Sequence, residues 1–156
     1  MIYWFTGQPS SGKTTLGNKL YKFLKTEKRN WRKSVFHIDG DELRKISFNK
    51  DYTDKGREIN IRTAQTMALF IHNNDCDVVV SLVSPFKELR EEFKTKMGVD
   101  MVELYTHTTE KRERYRYRVK DYEKPEVNFI DVDTTMDDPN TSFSKIINNL
   151  NKLEKL

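Results

Sequence analysis

Gly7-Gln8-Pro9-Ser10-Ser11-Gly12-Lys13-Thr14-Thr15 fits G-x-x-x-x-G-K-[ST], the phosphate-binding (Walker A) loop. Its surroundings make the match specific. Ile2-Tyr3-Trp4-Phe5-Thr6, just ahead, is a short apolar and aromatic run that reads as a buried strand. Leu16, Leu20, Phe23 and Leu24, just behind, recur at helical spacing. Strand, glycine loop, helix is the order that phosphate binding requires. Gly7 and Gly12 let the backbone turn tightly and aim N–H groups at phosphate oxygens. The following helix adds its unpaired N–H groups and the positive end of its dipole. Lys13 is expected to reach the outer phosphates and the Thr14 hydroxyl to bind Mg²⁺. The residues from Gly7 to Thr15 are thus the expected site for a nucleoside triphosphate.

Working outward, short apolar runs alternate with helical patterns. Ser34 to Ile38 reads as a second strand ending at Asp39, followed by one or two helical turns over Glu42 to Ile46. Glu27 to Lys33 between these units is a basic surface loop containing Trp31. A polar, turn-like stretch over residues 47–56 leads into a helix over about 57–73, with Ile61, Ala64, Ala68 and Ile71 on one face. Val78 to Val83 is apolar and β-branched without alternation, as in a parallel strand buried on both faces. Ser84-Pro85 reads as an N-cap and first helical residue, opening a helix that Gly98 ends. Strands near 101–105 and 127–132 and a helix near 141–153 complete the series. The expected fold is α/β: a P-loop NTPase with a five-stranded parallel sheet, helices on both faces, and ligands at the carboxyl ends of the strands.

At 156 residues the chain reads as one domain over 1–156, with a lid segment at about 108–125. No run approaches a membrane span, and the apolar start stops at Gly7 without a basic n-region, so neither a membrane anchor nor a signal peptide is expected. Cys76 is the single cysteine, which excludes an internal disulfide and suits a reducing, cytoplasmic setting. A net charge of +4 favours phosphorylated substrates without choosing between a small nucleotide and nucleic acid.

Phosphoryl transfer needs Mg²⁺, a group that orients or deprotonates the nucleophile, and positive charge on the moving phosphoryl. Asp39, at the end of the second strand, is placed for the metal and base region, with Asp41 two residues on. One carboxylate can hold a metal-bound water while the other accepts the proton of a substrate hydroxyl. The alternative for Asp41 is a helix cap. The segment 108–119 carries Arg112, Arg114, Arg116 and Arg118. If it is helical, Arg112 with Arg116 and Arg114 with Arg118 form i,i+4 pairs, one of which can face the ATP phosphates. The plain alternative is a solvated charged helix.

Beyond the phosphate loop, the chain resembles the adenylylsulfate kinases, which phosphorylate the 3′-hydroxyl of adenosine 5′-phosphosulfate using MgATP. His37-Ile38-Asp39-Gly40-Asp41-Glu42-Leu43-Arg44 is similar to that family's L-D-G-D-x-[VIL]-R. Arg57-Glu58-Ile59-Asn60-Ile61-Arg62 is similar to its R-x-x-N-I-R, and Val80 to Phe86 to its V-S-[FL]-I-S-P-[YF]. The resemblance covers residues 2–105. It implies ATP and Mg²⁺ as cofactors, with Thr14 and Asp39 on the metal and Lys13, Asp39 and Asp41 catalytic. It implies an acceptor site of Asp41, Arg44, Tyr52, Arg57, Asn60, Leu82, Val83 and Ser84, in which Tyr52 replaces a phenylalanine that stacks on the substrate base. Arg112 is expected on the donor and Arg116 on the acceptor.

After Tyr105 the resemblance breaks. The family's K-G-L-Y-K-K-A-R lid and F-T-G are replaced by Glu110 to Arg118 and then Asp121-Tyr122-Glu123-Lys124-Pro125. Half of the base sandwich is therefore missing or supplied by Tyr115, Tyr117 or Tyr122. The reaction type is kept and the acceptor is open: adenosine 5′-phosphosulfate, or a cytidine diphosphate derivative such as cytidine diphosphoramidate. A polynucleotide kinase is a lesser alternative, because Tyr115 and Tyr117 among arginines can stack on a strand. A GTPase-like switch is disfavoured, because Asn49-Lys50-Asp51-Tyr52 lacks the final aspartate of N-K-x-D. The expected partner is a small nucleotide, with no membrane and nucleic acid disfavoured; a homodimer is allowed.

Overall fold

The computed structural model describes residues 1–26 and 34–153. The expected basic loop at 27–33 lies outside the described residues.

Five strands form one sheet: β1 (Ile2–Thr6), β2 (Val35–Asp39), β3 (Asp77–Ser81), β4 (Met101–His107) and β5 (Phe129–Asp133). The order is β2-β3-β1-β4-β5 and every pairing is parallel. Parallel neighbours require crossovers, and the helices supply them. They are α1 (Lys13–Thr26), α2 (Gly40–Ile46), α3 (Asp54–His72), α4 (Lys87–Met97) and α5 (Pro139–Lys152).

The sheet separates two cores. Even-numbered residues of β1 and β3, such as Ile2, Trp4, Val78 and Val80, meet Ile61, Ala64 and Ala68 of α3 and Leu89, Phe93 and Met97 of α4. Odd-numbered ones, Tyr3, Phe5 and Val79, meet Leu16, Leu20 and Leu24 of α1 and Ile146 and Leu150 of α5. All five residues of β1 and of β3 are buried, because strands inside a sheet covered on both faces have no solvent side. The sheet thus matches the expected architecture.

Two details place the site. Helix α1 lies close on β3 at Gly17, where a Cβ atom would sit 2.2 Å from Ser81 Oγ. That hydroxyl donates to the Lys13 carbonyl at 3.2 Å, tying the first turn of α1 to the end of β3. The second detail corrects the sequence reading. Ser84-Pro85 does not start a helix: α4 begins at Lys87, with Phe86 at the N-cap and no side-chain cap of its own. Residues 82–86 form an extended strap along the carboxyl edge of the sheet, and Ser84 adopts φ 42°.

Candidate active site

The loop after β1 closes against parts of the chain far away in sequence. Gly7 has φ 148°, and a Cβ there would lie 2.0 Å from the Thr106 carbonyl oxygen of β4, so only glycine fits. Thr134, just past β5, donates its hydroxyl to the Ser11 carbonyl at 3.0 Å. Lys13 is buried, and its Nζ donates to the Gln8 carbonyl at 2.7 Å, within its own loop. Burial lowers the Lys13 pKa to about 7; Asp41 and Asp39 oppose the shift, and Arg114 adds to it. An ammonium held this weakly is poised for an anion. The buried Ser11 hydroxyl also has no protein partner.

Thr14 donates its hydroxyl to Asp39 Oδ2 at 2.8 Å. The other oxygen, Oδ1, accepts from the backbone of Asp41 at 3.0 Å and of Glu42 at 3.3 Å, so Asp39 is the N-cap of α2. The cap considered for Asp41 is therefore made by Asp39. A hydroxyl beside a carboxylate is the donor set of a hard cation. Among the described residues no group of three or more His, Cys, Asp or Glu side chains is arranged for a metal. Both facts fit Mg²⁺, which takes one or two protein oxygens and relies on phosphates and water for the rest.

A cleft of about 1100 Å³ runs from this loop along the carboxyl ends of the strands. Its far half holds Arg44, Tyr52, Arg57 and Asn60 on one wall and Leu82, Val83 and Ser84 on the floor. Arg44 is buried and donates to the carbonyls of Asn49 at 3.3 Å and Asp51 at 2.6 Å, which fixes the turn that carries Tyr52. Burial also lowers the Arg44 pKa, an effect reinforced by Arg57 and opposed by Tyr52, Asp41 and Asp51. The Arg44 guanidinium lies 4.4 Å from the Tyr52 ring centre and that of Arg57 lies 6.0 Å away. Asn60 is buried with Oδ1 unpartnered. Ser84 Oγ accepts from the Trp4 indole at 3.1 Å, and its carbonyl accepts from Arg90 at 2.5 Å. Those bonds hold Ser84 in its left-handed turn.

The lid crosses above the loop as a run of tight turns, including the 3-10 turn Tyr115–Tyr117, and not as an α-helix: the N–H groups of Tyr115, Tyr117 and Arg118 reach the carbonyls three residues back. The i,i+4 arginine pairs therefore do not form. Arg112 is committed to Glu110, the Ser10 carbonyl, and the hydroxyl and carbonyl of Thr134. Arg114 reaches Asp41 Oδ2 at 2.7 Å. Gln8 clamps the lid from below: its amide donates to the Val119 carbonyl at 2.8 Å and accepts from the Val119 N–H at 2.9 Å.

Of the expected site residues, Pro9, Ser10, Gly12, Lys13, Thr14, Thr15, Asp39, Asp41, Arg44, Tyr52, Arg57, Asn60, Leu82, Val83, Ser84 and Arg112 line this single cleft. Gly7, Gln8 and Ser11 lie behind it, as the frame of the loop. Arg116 does not line it; its guanidinium rests 4.9 Å from the Tyr117 ring centre. Arg114, Tyr117 and Arg118 do line it; the sequence offered them only as alternatives, Arg114 and Arg118 as a helical pair and Tyr117 as one of three base-stacking candidates. The Arg–Tyr alternation of the lid carries no signal of which side chains turn inward. Of the tyrosines considered for the base site, Tyr117 alone reaches the cleft. Tyr122 lies beneath, sharing a 2.8 Å hydrogen bond with Thr6 and stacking on Tyr105.

Comparison with known proteins gives a consistent answer. A cytidine diphosphoramidate kinase of Campylobacter jejuni is 32% identical over 153 residues, 95% of this chain and 85% of its own. An adenylyl-sulfate kinase of Thermodesulfovibrio yellowstonii is 30% identical over 166 aligned residues, 94% of this chain and 81% of its own. A probable adenylyl-sulfate kinase of Pyrococcus abyssi is 36% identical over 105 residues, 67% of this chain and 58% of its own. The fold matches an adenylylsulfate kinase of Mycobacterium tuberculosis solved with AMPPNP and APS, with a TM-score of 0.75 at 19% identity over 96% of each chain. It also matches a hexameric adenylylsulfate kinase of Thiobacillus denitrificans, with a TM-score of 0.81 at 22% identity over 99% of this chain and 29% of that one. The profile of the adenylylsulphate kinases covers residues 1–143. With the phosphate loop, the paired aspartates, Arg44, Arg57 and Asn60 gathered in one cleft, that match places the chain in the adenylylsulphate kinase family, phosphotransferases acting on an alcohol group.

Proposed function

We propose that the chain transfers the γ-phosphoryl of MgATP to a ribose hydroxyl of a nucleotide acceptor. The observation that supports this is the division of labour between two carboxylates in one cleft. Asp39 is bound to Thr14 of the donor loop, and Asp41, two residues on, lines the same cleft close enough to Arg44 to oppose the lowering of its pKa. Asp39 then serves the metal side and Asp41 receives the acceptor's proton. When bound, Mg²⁺ would offset charge on the phosphate oxygens. Thr14 and Asp39 would hold it, Lys13 would pair with the outer phosphates, and Arg57 would grip the anionic 5′ group of the acceptor. The setting proposed is cytoplasmic; among the described residues no helix is long and apolar enough to cross a membrane.

The first acceptor reading is the 3′-hydroxyl of adenosine 5′-phosphosulfate. A cytidine diphosphate derivative is a second reading. It is favoured by the missing F-T-G and by the Campylobacter relative, which aligns over 95% of the chain, lid included. The test is ATP consumption with adenosine 5′-phosphosulfate, cytidine diphosphate derivatives and oligonucleotides as acceptors. A small nucleotide should be phosphorylated. Arg57→Ala should raise its KM about tenfold, on the order of a lost charge-assisted contact, and leave the KM for ATP unchanged. Asp39→Asn and Lys13→Ala should each nearly abolish turnover without unfolding the protein. Turnover on oligonucleotide ends alone, or near-full activity of Asp39→Asn, would overturn the reading.

A further inference from the structure

The four lid arginines are not equivalent. Arg112 and Arg118 line the cleft too, but Arg112 is spent on Glu110, Ser10 and Thr134 and Arg118 lies 5.2 Å from the Tyr115 ring centre; Arg116 stacks on Tyr117 outside the cleft, and Arg114 also lies 5.9 Å from the Tyr117 ring centre. Arg114 differs in three ways. Its backbone N–H donates to Ser10 Oγ at 3.1 Å, which seats it directly above the phosphate loop. Its guanidinium lies inside the cleft, near enough to Lys13 for the two cations to repel each other. Its hydrogen-bonding partner there is Asp41 Oδ2, 2.7 Å away, in a pair whose members are both about half exposed (49% and 54%).

A half-exposed ion pair contributes little and is easily exchanged. A triphosphate held by Lys13 would place more negative charge beside this guanidinium than Asp41 offers. We propose that Arg114 is a catalytic residue that changes partners. It covers the Asp41 carboxylate when the donor loop is empty, and it moves to the oxygens of the transferring phosphoryl when the loop is filled. One side-chain movement thereby neutralises charge on the phosphoryl and uncovers the group that takes the proton. This rests on the phosphotransfer reading above. In the step it serves, the acceptor hydroxyl oxygen bonds to the γ-phosphorus. The bond from that phosphorus to the β–γ bridging oxygen breaks, and ADP leaves with the electron pair. The hydroxyl proton passes to the uncovered Asp41 carboxylate. The flanks of the lid need not open for the exchange, because Gln8–Val119 and Arg112–Thr134 hold it in place on either side.

The exchange predicts a coupling that simple attraction to phosphate does not. Asp41→Asn removes the competing partner, so it should tighten binding of Mg²⁺ with a non-hydrolysable ATP analogue. The gain should be about tenfold in the wild-type background and much smaller in the Arg114→Gln background. General relief of charge repulsion would act equally in both. Arg114→Gln should also lower kcat about 100-fold, the scale of one lost transition-state donor, and Arg114→Lys should recover part of it. Equal gains from Asp41→Asn in the two backgrounds, or unchanged kcat in Arg114→Gln, would overturn the proposal. The titration needs no acceptor. If the wild-type protein phosphorylates a nucleotide and the cycle is additive, the exchange alone fails. If no acceptor is phosphorylated while the coupling is present, the acceptor reading fails and the partner change stands.

Discussion

Lys13 shows how one residue's environment sets both an opportunity and a cost. It is buried with a carbonyl as hydrogen-bonding partner, and its pKa falls from 10.5 to about 7. Below about pH 7 both the folded and the unfolded chain carry the proton, so the full cost of burying the charge is present. Between that value and 10.5 the unfolded chain still binds the proton and the folded chain does not, so this contribution to stability rises with pH. Two outcomes are expected. Lys13→Met should raise the thermal midpoint of the ligand-free protein at pH 6, and the difference from wild type should shrink towards pH 10. Binding of an ATP analogue at pH 8 should take up about one proton, measured calorimetrically in buffers of different ionisation enthalpy. Absence of uptake would mean that Lys13 stays charged in the empty loop. The presence of Lys13 in the site was legible, because glycine spacing and Lys-Thr order are local features. Its lowered pKa was not, because that depends on packing against strands that come later in the chain.

At the scale of elements, the least legible feature is how the lid is joined to the strap over residues 82–86. Ser84-Pro85 satisfies every local rule for starting a helix, yet α4 starts two residues later than that, at Lys87. The donor at its first turn is satisfied from 36 residues away: Glu123 Oε2 accepts from the Lys87 N–H at 2.7 Å, and the Glu123 N–H returns a bond to the Pro85 carbonyl at 3.0 Å. Arg90, fully buried against Glu103, extends two further donors to the carbonyls of Ser84 and Glu123. The root of the lid and the strap 82–86 are therefore fastened as one piece. No periodicity or capping pattern can announce a cap that arrives from another segment. The same holds for the lid. Its arginines are spaced for a helix, and their contacts with Ser10, Thr134 and Asp41 accompany a run of tight turns instead. Glu123→Ala should cost about 1 kcal/mol in urea unfolding, the usual worth of an N-cap. It should also speed amide exchange at both 84–88 and 118–123 while leaving α1 unchanged. Faster exchange at only one of the two segments would show that they are not fastened together.

The whole molecule was the most legible level, because alternating apolar strands and amphipathic helices leave few topologies open. Val78 to Ser81 lacks alternation because both of its faces are covered, and the sheet places it between β2 and β1. A ligand that binds only the assembled fold should stabilise all of it. MgATP analogue at 100 times its Kd should add about 2.7 kcal/mol, read as a concentration-dependent rise in the thermal midpoint. An unchanged midpoint would mean that the cradle binds no triphosphate. There is also a consequence for how the protein comes into being. The loop from Gly7 to Thr15 is synthesised well before the segments that shape it. Its backbone is shaped by Thr106 and its floor is tied by Thr134, nearly a hundred and more than a hundred and twenty residues later. The motif is complete as soon as Thr15 is joined, and the nucleotide cradle exists only once Thr134 has been added. A nascent chain halted before residue 134 would carry the full signature in its sequence and retain no ATP.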